Sequence, residues 1–393
     1  MESLAFRPGR RAAIDLEPRN GGVGGMCVLA KAWPLTLRRE RVNYVQTSAM
    51  LTGWKKSEEL AYLSEVSSVP LQQSLRHLQS AFVSFWGKRA RYPRFKSRKR
   101  SRASAEYTRS AFRFRNGKLT LAKMTDPLES VWSRPLPEGA EPSTVTVSRD
   151  AAGRWFVSIL CDDTPAAMPA ATAAVGIDAG ITSLITLSTG EKIANPRHER
   201  SDRTRLARAE RALSRKAEGS ANRHKARRKA ARVHARITDR RRDFLHNLTT
   251  RLVRENQTLV YEDLAVRNLV KNHKLARAVS DASWTELRSM LEYKCAWYGR
   301  ELIVINRWFP SSEPCSACGT IAARMPLKVP IWTCSCGATH DRDVNAAKNI
   351  LAAGLAVTVC GDGVRPQRST PERQRSAMQK NQPVREGTPA LQG

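Results

Sequence analysis

Acidic residues are scarce in this chain. Its 393 residues hold 36 Asp and Glu against 67 Lys and Arg, a formal net charge of +31. A surface so short of carboxylates suits a polyanionic partner, nucleic acid before anionic membrane. Long apolar runs are also missing. No stretch of about 18 apolar residues occurs, so no transmembrane span and no membrane partner is expected. The first residues lack a continuous apolar core before a small-residue cleavage site, so no secretory signal is expected and a reducing cytoplasm is the default. Cysteine is sparse, at eight residues. Cys27, Cys161, Cys295 and Cys360 are scattered and read as inert, with Cys295 inside an apolar helical pattern. The other four are clustered, which in a reducing compartment favours metal over disulfides.

What remains is long enough for two or three domains, and 41% hydrophobic residues suffice for a core. Residues 1–40 are rich in Gly, Arg and Pro and read as loop or poorly ordered chain. From about Arg41 to Trp86 the pattern is helical. Pro70 sits near the start of a second helix, and Leu71, Leu75, Leu78, Phe82 and Phe85 form one apolar stripe. In the following stretch cations alternate with rings. Arg91, Tyr92, Arg94, Phe95, Lys96, Arg98 and Lys99 pair phosphate-neutralising charge with surfaces for stacking on bases.

Residues 105–162 read as short antiparallel strands. Phe112–Arg115 and Lys118–Ala122 flank the hairpin turn Asn116-Gly117. Val145–Ser148 and Trp155–Ile159 flank a second turn. An Ala/Pro-rich linker, Thr164 to Ala174, follows. Apolar strands are then expected at Ala174–Asp178, Leu184–Leu187, Leu259–Leu264 and Leu302–Ile305, with a short one at Lys192-Ile193. Two long basic helices fill Arg200 to Asn256, broken near Glu218-Gly219-Ser220. Arg223, Lys225, Arg227, Arg228 and Arg232 belong to a dense cationic run with few acids to balance it, which suits tracking a phosphate backbone. Helices are expected over Trp284 to Tyr298 and Asn345 to Gly354.

Two constellations carry chemistry. Cys315-x-x-Cys318 and Cys334-x-Cys336, each followed by Gly, form two knuckles that complete a tetrahedral thiolate shell for structural zinc. The second knuckle is tighter than the usual spacing, and His340 is an alternative ligand. Asp178 and Glu262 each end an apolar strand, and Asp341 and Asp343 precede a helix. Strand ends of an α/β sheet converge at one edge. Acids gathered there suit divalent metal and phosphodiester hydrolysis. Structural roles compete: Asp178 as a turn acceptor, Asp263 in place of Glu262, Asp341 or Asp343 as a helix cap. Spacing alone does not choose between Asp341 and Asp343.

At these residues the chain resembles a known family. Gly176-Ile177-Asp178-Ala179-Gly180, Tyr261-Glu262-Asp263-Leu264 and Asp341-Arg342-Asp343-Val344-Asn345-Ala346-Ala347 look like the three RuvC motifs of TnpB proteins. These are the OrfB products of insertion sequences, related to type V CRISPR effectors. Arg91–Lys96, Val270–Ala276 and Trp308–Ser312 match in order and spacing, which adds Lys271 and Lys274 as nucleic-acid contacts. The resemblance implies a guide RNA from the transposon end, double-stranded target DNA beside a short adjacent motif, and a prokaryotic, nucleoid-associated protein. It implies Asp178, Glu262 and Asp343 as catalytic Mg²⁺ ligands and Cys315, Cys318, Cys334 and Cys336 as zinc ligands.

The implied fold is α/β plus β. An atypical segment (1–40) precedes a helical recognition domain (41–100) and a wedge β domain (101–165). An RNase H-like RuvC nuclease domain (166–310) follows, then a zinc ribbon (311–340), the last RuvC motif (341–356) and a disordered basic tail (357–393). Two departures stand out. The family's opening wedge strand is not legible in residues 1–40, and the second knuckle is C-x-C. Beside the guided nuclease stand two rivals, a nuclease-impaired nucleic-acid-binding regulator and a DNA strand-transfer transposase.

Overall fold

The structure, a computed structural model, describes residues 4–5, 43–94, 103–133, 135–321 and 329–360. Phe95, Lys96, Arg98 and Lys99, nearly all of residues 1–40, and 361–393 lie outside the described residues. Two compact units emerge. The first comprises Met1–Ala171, Pro196–Glu255 and Leu269–Arg300, and the second Thr172–Asn195, Asn256–Asn268 and Glu301–Gly393. No helix among the described residues is long and apolar enough to cross a membrane.

In the first unit, α1 (Tyr44–Lys56) and α2 (Ser68–Trp86) pack through the expected stripe. Asn43 and Gln46 exchange side-chain and backbone bonds at 2.9 Å, a capping box that fixes where α1 starts. Leu71, Leu75, Leu78 and Phe82 are buried against Leu51, Leu60 and Leu63.

A four-stranded sheet runs β1–β6–β5–β2, from β1 (Leu4–Ala5), β2 (Ala103–Thr108), β5 (Pro142–Arg149) and β6 (Trp155–Cys161). The expectation of no opening strand is thus corrected: Leu4 and Ala5 pair antiparallel with Val157 and Phe156. Two residues are too few for an alternation to be read. The hairpin β3 (Phe112–Arg115) and β4 (Lys118–Leu121) turns through Asn116 and Gly117, both at positive φ (50° and 71°), the conformation the dipeptide favours.

Helices α3 (His198–Ser214) and α4 (Ala221–Glu255) pack on Leu206, Val233 and Ile237. α5 (Ala276–Ala282) and α6 (Trp284–Tyr298) complete the unit. Cys295 on α6 is buried as expected, and burial pushes its thiol up to about 12.

The second unit is built on a five-stranded sheet of order β11–β10–β7–β8–β9. Its strands are β7 (Ala174–Ala179), β8 (Ser183–Leu187), β9 (Lys192–Ala194), β10 (Thr258–Glu262) and β11 (Glu301–Ile305). β7, β10 and β11 are parallel, while β8 and β9 return antiparallel. A small hairpin, β12 (Ile331–Thr333) and β13 (Thr339–Asp341), leads into α7 (Arg342–Cys360). α7 begins three residues before the expected start at Asn345 and continues into the segment assigned to the tail.

Two glycines let α7 lie close on the sheet. A Cβ at Gly176 would fall 2.1 Å from the Ala347 carbonyl oxygen, and one at Gly354 would fall 2.4 Å from Val260 Cγ1. Val260, Ile303, Ile305 and Ile350 form the core beneath the helix.

Candidate active site and metal centre

The parallel pairing of β7 and β10 sets the site. Ile177 is in register with Tyr261, so Asp178 and Glu262 follow side by side at the same sheet edge. Side chains in register on neighbouring strands share a face. α7 starts beside that edge and carries Asp343 in its first turn. Burial raises Asp178, and the neighbouring Asp343 and Glu262 carboxylates raise it further; Arg342 and the Ala179 amide offset part of this. The net result pushes Asp178 up to about 7. Burial, then Asp263, also raises Glu262. Asp178 and Glu262 are thus both harder to ionise than free carboxyls, the condition that a bound cation relieves.

The competing acids have other partners. Asp263 is ion-paired with Arg307. Asp341 Oδ1 accepts the amides of Asp343 and Val344, each at 3.1 Å, and so caps α7. Its Oδ2 accepts from Lys192 Nζ at 2.8 Å. Burial alone would raise Asp341, but Lys192 and the two amides outweigh it and hold the carboxyl below its ordinary value.

The four thiols meet. Among the described residues, Cys315, Cys318, Cys334 and Cys336 are the one set of three or more potential ligands whose donor atoms all fall within 4.8 Å. The three acids are electrostatically coupled but not drawn to that spacing. Sγ of Cys315 and Cys336 are 3.9 Å apart, and Sγ of Cys318 and Cys334 are 3.7 Å apart. Four thiolates about 2.3 Å from one zinc ion stand about 3.8 Å apart, so the donor set fits that ion. His340 Nε2 lies 3.0 Å from Cys315 Sγ but outside the four-thiol set. The tight knuckle closes because Gly337 takes φ of 88° and donates to the Cys334 carbonyl, as Gly319 (φ 75°) does to Cys315.

Sequence reasoning missed the link between the two constellations. Asn345 is buried on α7. Its Nδ2 donates to the Pro314 carbonyl at 2.8 Å, and its Oδ1 accepts the Ser316 amide at 2.9 Å. Asn349, one turn on, donates to the Ser311 and Pro314 carbonyls. The first knuckle is therefore bolted to the helix that carries Asp343. Two Asn at i and i+4 in an apolar helix were the available signal.

The expected nucleic-acid contacts divide. Lys225, Arg227, Arg228, Arg232, Lys271, Lys274, Arg91 and Arg94 are exposed. Tyr92 is 45% exposed, with its ring edge-on to Phe82 and Phe85. Arg223 is intermediate in exposure and has a structural role. Its guanidinium donates to the Leu213 and Lys216 carbonyls (3.3 and 2.7 Å), closing the turn between α3 and α4. Acids on other helices answer part of the charge on α4. Arg236 and Arg240 face Asp202, Arg241 faces Asp281, and Arg242 faces Glu286. These acids come from other helices, so no pattern within α4 reveals them.

Residues 157–273 match the family OrfB_IS605, described as a probable transposase, and residues 284–350 match a Cas12f1-like TNB domain. A "Putative RNA-guided DNA endonuclease" of Streptomyces pristinaespiralis is 73% identical over 354 residues, covering 90% of this chain and 88% of that protein. "Putative RNA-guided DNA endonuclease InsQ" of Escherichia coli (strain K12) is 33% identical, covering 83% of this chain and 84% of its own length. A solved Cas12f1–sgRNA–target DNA complex aligns at 14% identity and TM-score 0.49, over 84% of this chain and 80% of that chain, too distant to carry an argument.

Proposed function

This chain belongs to the TnpB family of insertion-sequence RNA-guided DNA endonucleases, and from that premise we propose that Asp178, Glu262 and Asp343 hold catalytic Mg²⁺ and cut target DNA. The observation that carries this reading is Asp178 at a strand end, raised by burial and by the other two carboxylates. The sheet order, with three antiparallel strands and two parallel ones added beside the first, supports an RNase H-like nuclease domain.

When bound, Mg²⁺ supplies an activated water and charge relief at the leaving oxygen. The chain's own residues do the rest. Asp178 and Glu262, on rigid strands, fix two donor positions. α7 delivers the third, and its placement depends on the glycine contacts and the Asn345 and Asn349 anchors. Hydrolysis of this kind leaves 5′-phosphate and 3′-hydroxyl ends. We assign Cys315, Cys318, Cys334 and Cys336 a structural zinc, since four protein ligands leave no open position for substrate. The guide RNA is proposed to come from the transposon end, and cleavage to require a short adjacent motif in the duplex. Exposed cations on α4 suit the phosphate backbones.

The test is co-expression with the flanking transposon-end transcript, followed by cleavage of targets with randomised adjacent sequence. D178A should abolish cleavage and leave RNA binding intact. Equal loss of both would make Asp178 structural. A guide-loaded protein inert with Mg²⁺ would favour a binding or regulatory role, and transfer of labelled ends would favour a transposase.

A further inference from the structure

Strand register places a lysine in the same row as the acids. Asp178 on β7 is paired with Thr186 on β8, and Thr186 is paired with Lys192 on β9. Residues directly opposite across antiparallel strands project from the same face. Lys192, Thr186 and Asp178 therefore form one line across the sheet. Glu262 extends it, one step past the Ile177–Tyr261 pair.

Lys192 Nζ lies 2.8 Å from Asp341 Oδ2 and 3.6 Å from Asp343 Oδ2. Asp341 is held in turn by the first amides of α7. The shorter contact is to the carboxylate that caps the helix, so the ammonium is tethered beside Asp343 rather than by it. Lys192 is 37% exposed, and among the described residues its charged partners are these two acids. An ammonium has three N–H donors and acts as a compact point charge. With two donors directed at carboxylates, one remains for an anion arriving from solvent.

We propose that Lys192 contacts a non-bridging oxygen of the scissile phosphodiester, and that Asp341 positions it there. This rests on the reading of Asp178, Glu262 and Asp343 as the cleavage site. During in-line attack, negative charge builds on the phosphoryl oxygens. A fixed cation beside the metal ligands opposes that charge without reorganising. Asp341 thereby has two tasks, capping α7 with one oxygen and aiming Lys192 with the other.

The experiment compares K192M, K192R, D341N and D178A in the guide-loaded protein. Single-turnover cleavage is measured at saturating Mg²⁺, with target affinity measured separately. Mn²⁺ binding to the guide-free protein is followed by electron paramagnetic resonance. K192M is expected to slow cleavage about a hundredfold, as for loss of one charge-stabilising donor, while target affinity and Mn²⁺ binding stay unchanged. K192R should recover most of the rate. D341N should fall with K192M, because Asn keeps the cap but loses the charge that holds the ammonium. Sulfur at the contacted oxygen should slow the wild type but not K192M, and Mn²⁺ should not rescue it, since ammonium has no preference for soft sulfur. Wild-type cleavage by K192M overturns the proposal. So does a tenfold loss of Mn²⁺ binding in K192M, which would mean that Lys192 merely orders Asp343. Full cleavage by D178A would instead remove the underlying assignment of the site.

Discussion

At Asp178 a single side chain links folding to the proposed chemistry. Its carboxyl is pushed up to about 7 from an ordinary 3.8. The folded chain therefore keeps a proton there that the unfolded chain releases at lower pH. A raised carboxylate contributes its stability fully below the unfolded value, and loses it as pH rises through the folded one. Without Mg²⁺, D178N should match the wild type near pH 4 and exceed it by roughly 2–4 kcal/mol at pH 8. Urea denaturation across this range checks the sign, and a gap that widens toward acid would refute it. With subsaturating Mg²⁺, cleavage should climb with pH and level off above about 7.

The placement of Asp178 and Glu262 at neighbouring strand ends was legible because the strands themselves were easy to read. Lys192 was not. A three-residue edge strand has no periodicity to read, and its partner Asp341 is 149 residues away. The turn-closing role of Arg223 was hidden for a related reason: its acceptors are turn carbonyls, and every residue supplies a carbonyl.

Among the elements, α7 does most to assemble the site. It lies directly on β7, with no space for a side chain at Gly176. G176A would force backbone apart, because the nearest atom is a carbonyl oxygen and not a flexible side-chain tip. A cost of about 1–3 kcal/mol is expected for such overpacking, together with slower cleavage although every acid is retained. Thermal denaturation and single-turnover rates test both halves. Intact cleavage in a destabilised G176A would show that the helix position tolerates the shift. Hairpin β3–β4 lies at the other extreme of legibility. Its Asn-Gly turn sets its own backbone conformation, so local sequence suffices. The start of α7 was placed late because spacing left both Asp341 and Asp343 as candidate caps, and only the bonds from the Asp343 and Val344 amides single out Asp341.

Over the whole molecule, the charge of +31 divides into two populations. Some arginines of α4 are spent inside the first unit. Arg241 faces the buried Asp281, whose carboxylate also accepts the Glu199 amide at the start of α3. Others, such as Arg227 and Arg232, are exposed. R241M should lower stability by about 3–5 kcal/mol, the cost of stranding a buried partner charge. The double variant R227E/R232E should leave the melting temperature nearly unchanged, weaken RNA binding and flatten its salt dependence by about two phosphate contacts. Melting curves and filter binding at several salt concentrations separate the two classes. Swapped outcomes would reverse the assignment.

Sequence by itself determined most of the strands, the two long helices, the thiol set and the acids that end β7 and β10. Each depends on local periodicity or on spacing within one short segment. Only the tertiary structure decided which acid caps α7 and which faces Asp178, which arginines remain for phosphate, and that Lys192 stands in the row of acids. Those facts depend on strand register and on helix-to-sheet distance. Both are set by the packing of segments far apart in the chain, and no local pattern records them.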